Sequence, residues 1–325
     1  MVRLIFRAFV LLGLSFGASF GVSDMLGREV NVQNTDKIVF IGPGALRLGV
    51  YLGVTDRVVG IEAREKRQML HAPYNAVVKA KKLDSKPTIG EGGPGKMPTM
   101  EALIASGAEL IVASFVSKEN MDLIEQKTKI PVFGVDYGDG KSAKSMDLVK
   151  KSILNLGEIL GVKARANELV EFMNSEEKAF KGLNLSPKSL YIGGVSYKGS
   201  WGIASTEGRY LPFELLGVAN AVAKGQSGHL FLDLEKIAEV DPDIVFVDVS
   251  GEKIITDEIN NKKEFFDSLK AFKTGQIYKV APFNFYNTNI ENCYFIAWQV
   301  ASKLGAKVDL DAKKAEIYKK FLGEF

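Results

Sequence analysis

Short uninterrupted apolar runs at 37–42 (KIVFIG), 57–61, 109–113 and 131–135 alternate with stretches in which apolar residues recur every three or four positions. Runs of that length bounded by turn residues predict strands buried on both faces, and the spaced stretches predict amphipathic helices. The same alternation resumes at 188–195, 243–247 and 276–280, and the chain closes with helical patterns over about 289–304 and from 312. Between the two sets lies a stretch, 142–181, with no strand signal. There Met146, Val149, Ile153, Leu156, Leu160, Val162, Ala166, Leu169 and Met173 keep helical spacing, with Gly161 as a kink or break.

The two sets are copies of one pattern. Residues 100–113 (MEALIASGAELIVA) and 234–247 (LEKIAEVDPDIVFV) both read as a helix feeding a buried strand, with Glu101 and Glu235 in register. Fainter echoes join 37–42 with 188–193 (KSLYIG), and 131–135 (PVFGV) with 276–280 (QIYKV). Repeated βα units predict an α/β fold: two Rossmann-like lobes with mostly parallel sheets, joined by a single long backbone helix, with a ligand cleft between them. The expected divisions are a leader at 1–23, a first lobe at 24–142, the linking helix at 143–181 and a second lobe at 182–325. A single helical crossing permits only a small hinge motion.

Composition narrows the class. With 46% apolar residues over 325 positions, each lobe has enough material for its own core. The amino terminus carries Arg3 and Arg7, then thirteen uncharged residues at 8–20 (AFVLLGLSFGASF) and a small-residue exit before Asp24. That is the layout of a cleaved secretory signal, too short for a span of about 20 apolar residues. Cleavage is expected between Ala18 and Asp24, giving an exported mature chain. Loss of Arg3 and Arg7 takes the net charge from +3 to +1, so nothing points to nucleic acid or an anionic membrane. The single cysteine, Cys293, sits in an apolar stretch and reads as a small buried hydrophobe; no disulfide within the chain is possible.

Two glycine-rich stretches imitate nucleotide sites and fail on inspection. Residues 90–96 (GEGGPGK) have the spacing of a phosphate-binding loop, but Met97 stands where Ser or Thr would hold magnesium. Gly42-Pro43-Gly44 follows a strand, and Glu62 lies twenty residues beyond, yet Arg47 replaces the third glycine of a dinucleotide fingerprint. Both read as loops at the cleft rim, and the bare amides around Gly93 suit an anionic ligand. His71 and His229 are the only histidines, which excludes a site of three histidines; His71 reads as a loop residue and His229 as a donor to a metal already chelated. No nucleophile elbow, His-Glu-x-x-His or Cys-x-x-Cys is present, and no carboxylate pair reads as acid and base. No catalytic residue and no intrinsic cofactor are assigned.

Ligands of open α/β sheets bind beyond the carboxyl ends of the strands. There fall Glu62, Arg64, Tyr137 and Asp139 in the first half, and Tyr197, Lys198, Trp201, Arg209, Asn284, Phe285, Tyr286, Asn287 and Asn289 in the second. Arg and Lys would neutralise an anionic ligand while Tyr and Trp cover its flat parts.

The opening DMLGREVNV, the runs KIVFIGPGALRLGVYLGVTDRVVGIE and PTMEALIASGAELIVAS, the bridge NLGEILGVKARANEL and the run LEKIAEVDPDIVFVD together resemble the class III periplasmic binding proteins of ABC importers. The resemblance spans the mature chain and implies capture of a metal chelate, an iron-siderophore first and a nickel complex next, by a monomer that delivers it to an inner-membrane permease. Haem and cobalamin are cargoes of the same family, and an exported two-lobed enzyme or cofactor-binding protein is the alternative from another class. The resemblance also implies that a glutamate on each lobe meets permease arginines, matched by Glu101 and by Glu214 in LPFELLGVAN, whereas the internal repeat pairs Glu101 with Glu235. Some relatives complete the metal shell with a His and a Tyr of the second lobe, for which His229 and Tyr286 are the corresponding candidates.

Overall fold

The computed structural model describes residues 20–67, 73–93, 95–138, 144–223, 225–283, 286 and 288–324. Strands β1 (Phe20–Ser23) and β2 (Glu29–Val32) form an antiparallel hairpin ahead of the first lobe. Strands β3 (Ile38–Ile41), β4 (Val58–Gly60), β5 (Leu110–Ser114) and β6 (Val132–Val135) make a parallel sheet in the order β4-β3-β5-β6. The second lobe contains β7 (Leu190–Gly193), β8 (Ser205–Glu207), β9 (His229–Phe231), β10 (Ile244–Asp248) and β11 (Ile277–Val280). Of these, β7, β10 and β11 are parallel in the order β11-β10-β7, and β8 and β9 form an antiparallel hairpin.

The order of the sheets explains the repeat. The neighbours β3-β5-β6 of the first lobe recur as β7-β10-β11, and a single parallel bridge between Leu190 and Asn220 stands where β4 would pair. Every residue of β3, β5, β6, β7 and β10 is buried, as strands covered on both faces require.

The expected helix at 143–181 is two helices, Lys144–Ile159 and Lys163–Lys181, and the second alone makes the crossing. Gly161, at φ +67°, ends the first helix in the left-handed region that side chains disfavour. The helices fold back on each other, with Lys150 Nζ 2.8 Å from Glu177. The first stays on the first lobe, where the Ser152 hydroxyl accepts from Asp136 N at 2.9 Å and donates to Asp136 O at 2.7 Å. The second bridges the lobes: Arg165 Nε donates to Tyr51 O at 2.9 Å, and Glu177 accepts from the hydroxyl of Tyr294, on the second-lobe helix Ile290–Lys303, at 2.8 Å.

The carboxy-terminal helix Leu310–Leu322 returns to the first lobe and sets Phe321 edge-on to Tyr51, centroids 5.0 Å apart. One apolar cluster therefore runs from Ile38 and Leu48 through Phe172 and Phe180 to Ile192 and Ile296. A core shared in this way resists wide opening of the cleft. Among the described residues no helix is long and apolar enough to cross a membrane.

Candidate functional site

In a parallel sheet all strands end on one edge, so the segments leaving them converge there. On the first lobe, the segment after β4 opens the short helix Ala63–Lys66, which presents Arg64 and Glu65, with Glu62 just before it. With Tyr74 and Gly93 these residues line a cavity closed from the second lobe by Tyr286 and Thr288. The enclosed part measures about 60 Å³ and opens to solvent at its mouth, so it is a shallow cleft rather than a closed pocket of the roughly 300–1,000 Å³ that buries a drug-sized ligand.

Four of the sequence-predicted ligand residues, Glu62, Arg64, Gly93 and Tyr286, thus share one cavity. Glu62 is 3% exposed. Its Oε1 accepts from Gly42 N at 3.1 Å, so the spacing that imitates a dinucleotide fingerprint is a hydrogen bond joining two strand ends. Burial pushes the Glu62 carboxyl up to about 7; the Gly42 amide opposes the rise, Glu65 adds to it and Arg64 opposes it. Glu65 is also held up by burial, against the Tyr74 hydroxyl that donates to it at 2.9 Å. Arg64 packs on the bare face of Gly93 at the exposed rim.

Tyr137 lies behind the cavity, not in its lining. It is buried, donates to Gly44 O at 2.9 Å and stacks on Phe115 with centroids 6.0 Å apart. Phe115 leaves β5 at φ +52°, a strained conformation for an aromatic residue, and is 42% exposed. It meets the Tyr286 ring edge-on at 5.1 Å across the cleft. Burial raises the Tyr286 phenol, Arg64 lowers it and Tyr197 raises it, which places Tyr286 within electrostatic reach of both walls. A phenol raised in this way gives up its proton only to a strong competitor such as a metal ion.

Tyr197, Lys198 and Trp201 gather around the β8–β9 hairpin with His229 and Phe231. Tyr197 stacks flat on His229 at 4.4 Å, Trp201 meets Phe231 at 4.8 Å, and the Lys198 ammonium stands 5.3 Å over the Tyr197 ring. Trp201 and Phe231 are 44% and 53% exposed, which makes this group an open aromatic shelf. His229 lies beneath it. The Ser205 hydroxyl donates to Val195 O at 2.7 Å, so His229 Nε2, 3.0 Å away, donates to Ser205, and Nδ1 lies 3.5 Å from Glu207. Coordination of a metal by His229 requires one of these contacts to give way. Among the described residues no group of three His, Cys, Asp or Glu is placed to hold a bare ion.

Arg209 and Glu214 bind each other through two hydrogen bonds of 3.2 and 2.6 Å. Glu101 and Glu235 are exposed in the first turns of helices Met100–Ser106 and Leu234–Val240, which lead into β5 and β10. The repeat therefore gives Glu235, not Glu214, the position equivalent to Glu101. His71, Asp139, Asn284, Phe285 and Asn287 lie outside the described residues.

Sequence reasoning missed Glu65, Tyr74, Thr288, Phe115 and, above all, Arg47. Arg47 is 6% exposed, lines the cavity floor, binds Glu291 of the second lobe and lies 4.0 Å over the Tyr74 ring. Its signal was present as the one charge in the otherwise apolar, fully buried helix Ala45–Tyr51. Asp248, fully buried at the end of β10, accepts from Ser250 N at 2.8 Å and Phe283 N at 2.9 Å, and so anchors the segment that carries Tyr286. Asn289 and Asn292, in the stretch after β11, both donate to Pro282 O, at 2.7 and 2.8 Å, and so have a structural task.

With two lobes, one helical crossing and a cavity between the strand ends, the geometry is that of a two-lobed binding protein. The family model described as periplasmic binding protein matches residues 38–282. The chain belongs to that family. Part of the chain is 36% identical over 66 residues to the Fe(3+)-citrate-binding protein YfmC of Bacillus subtilis (strain 168). That match spans a fifth of each chain.

Solved structures share the fold over nearly the whole length. The molybdate-binding protein MolA of Haemophilus influenzae superposes with a TM-score of 0.68 at 18% identity, covering 93% of this chain and 97% of that one. FepB from Veillonella parvula gives 0.70 at 17%, covering 93% and 96%. CeuE of Helicobacter pylori, solved with Ni(II), gives 0.63 at 20%, covering 94% and 96%.

Proposed function

We propose that this protein captures a metal chelate, an iron-siderophore first and a nickel complex second, in the inter-lobe cavity and delivers it to an inner-membrane ABC permease. The observation that carries the reading is the cavity itself, walled by both lobes at the strand ends of a periplasmic binding protein. Arg64 at the rim and Lys198 over the Tyr197 ring suit oxygen-rich chelators, and the shelf of Tyr197, Trp201 and Phe231 suits their flat parts. The Fe(3+)-citrate protein and the nickel-bearing CeuE structure lean the same way. His229 and Tyr286 would complete the shell of a chelate that leaves metal positions open. Glu101 and Glu235, on equivalent shoulders of the two lobes, form the permease contact in this proposal, acting chiefly on orientation and encounter.

Trp201 on the open shelf, against the buried Trp298, makes fluorescence a suitable assay. Titration with ferric citrate, a ferric trihydroxamate, a ferric tricatecholate, haem, cobalamin, molybdate and nickel-histidine is expected to give saturable quenching by at least one. No response to any of them, with unfolding midpoints equally unmoved, counts against the receptor reading.

Export carries its own expectation. We propose cleavage between Ser19 and Phe20, a reading supported by the pairing of Phe20–Ser23 with β2 and by the small residues Gly17 and Ser19. Amino-terminal sequencing of the exported protein should read Phe20 first. A start after Ser23 would remove a strand of the fold and contradict this placement.

A further inference from the structure

The cavity floor sets two carboxyls, Glu62 and Glu65, beside an Arg47 already paired with Glu291, while its rim carries the cation of Arg64. Glu62 is 3% exposed, and among the described residues it receives one hydrogen bond, from Gly42 to Oε1. Its Oε2 lies against Gly92, where φ is +78° and a Cβ would stand 2.7 Å from that oxygen, so only glycine lets the loop close on the carboxyl. Glu65 likewise receives one hydrogen bond, from Tyr74. An ionised carboxylate accepts at about four positions, so both retain capacity. Arg47 does not supply it, being committed to Glu291 and to the face of Tyr74. Arg64 sits at the rim and forms no ion pair among the described residues. An anion pushed to the floor would meet two carboxyls that burial already holds above the usual range.

We propose that Glu62 and Glu65 select a cargo with a positively charged or N–H-donating group, which enters first and is held at the cavity floor while the electron-rich face of the chelate stays outward toward Arg64. This inference rests on the receptor reading and names the polarity of the ligand that the site takes. Glu62 and Glu65 then act as specificity residues: a cargo without the donor leaves buried carboxyl oxygens unsatisfied, a strong basis for rejection.

The test uses a ferric trihydroxamate with a terminal ammonium, the same complex with that amine acetylated, and ferric citrate as an anion without such a donor. Calorimetry at pH 8 is run on the wild-type protein and on Glu62→Gln and Glu65→Gln, whose amide oxygens still accept from Gly42 and Tyr74; unfolding midpoints verify that both variants fold. The wild type is expected to bind the ammonium complex at least about tenfold more tightly than its acetylated twin, with that ratio collapsing toward one in each variant. Equal affinity for the twins in the wild type, or a ratio preserved in both variants, overturns the inference. Binding of ferric citrate alone overturns it while leaving the receptor reading in place. If none of the three binds, the inference falls, and the wider fluorescence panel decides the receptor reading independently.

Discussion

Replacing Glu291 by alanine is expected to destabilise the protein by about 3–5 kcal/mol, the cost of leaving a buried charge without its partner, and to lower the unfolding midpoint by roughly 10 °C. Glu291 is 1% exposed and receives Arg47 on one carboxylate oxygen and the Tyr51 hydroxyl on the other. The Tyr51 hydroxyl in turn accepts from Ile290 N at 3.2 Å. These contacts join the two lobes next to the binding cavity. Burial disfavours the guanidinium, but Glu291 and neighbouring phenols outweigh burial and hold Arg47 above its ordinary value. Without Glu291, Arg47 has no way to shed its charge. Two further consequences distinguish this from loss of an ordinary hydrogen bond. Arg47→Met combined with Glu291→Met should recover most of the loss, because a well-packed apolar pair tolerates burial better than a lone cation. Ligand affinity should fall with stability, since Arg47 also lines the cavity. A change below about 1 kcal/mol in chemical denaturation, the range of an exposed pair, would show that the lobes are held by apolar packing alone.

Reversing both shoulder charges, Glu101→Arg with Glu235→Arg, is expected to abolish cargo uptake while leaving affinity for the cargo within about twofold. Neither residue lines the cavity, and both are exposed in helix first turns, so folding should survive. In the proposed docking, an arginine set against permease arginines would replace attraction with like-charge repulsion, which costs several kcal/mol across an interface. The control is Glu214→Gln, which breaks the pair with Arg209 but leaves both shoulders intact and should transport normally. Uptake by the double variant equal to that of wild type would remove these glutamates from the docking surface. Loss of uptake in Glu214→Gln alone would return the second contact to Glu214.

The parts of the fold legible in the sequence are those in which burial on both faces forces an unbroken apolar run. All seven expected strands correspond to β3, β4, β5, β6, β7, β10 and β11, and the internal repeat appears in the matching sheet orders. The hairpins β1–β2 and β8–β9 escaped notice because EVNV, STE and HLF are short and carry no such run. The bridge was overextended because helical spacing continues across Gly161, and only the fold-back reveals the left-handed residue as a turn. Arg47 and Glu291 stand 244 positions apart, and no local pattern links them. At the site, Glu62, Arg64 and Tyr286 could be read from their places after strands, and Gly93 from its glycine-rich loop. Tyr137 occupies an equivalent place yet turns inward to hold Gly44, which sequence spacing does not distinguish.

Capture of a metal chelate in the cavity between the lobes is put to the test by calorimetric titration of the mature protein with the quenching complex, alongside Tyr286→Ala. One saturable site per chain is expected, at least about tenfold weaker when the Tyr286 ring and hydroxyl are removed. No isotherm with any metal complex, or an isotherm that Tyr286→Ala leaves unchanged, would contradict it.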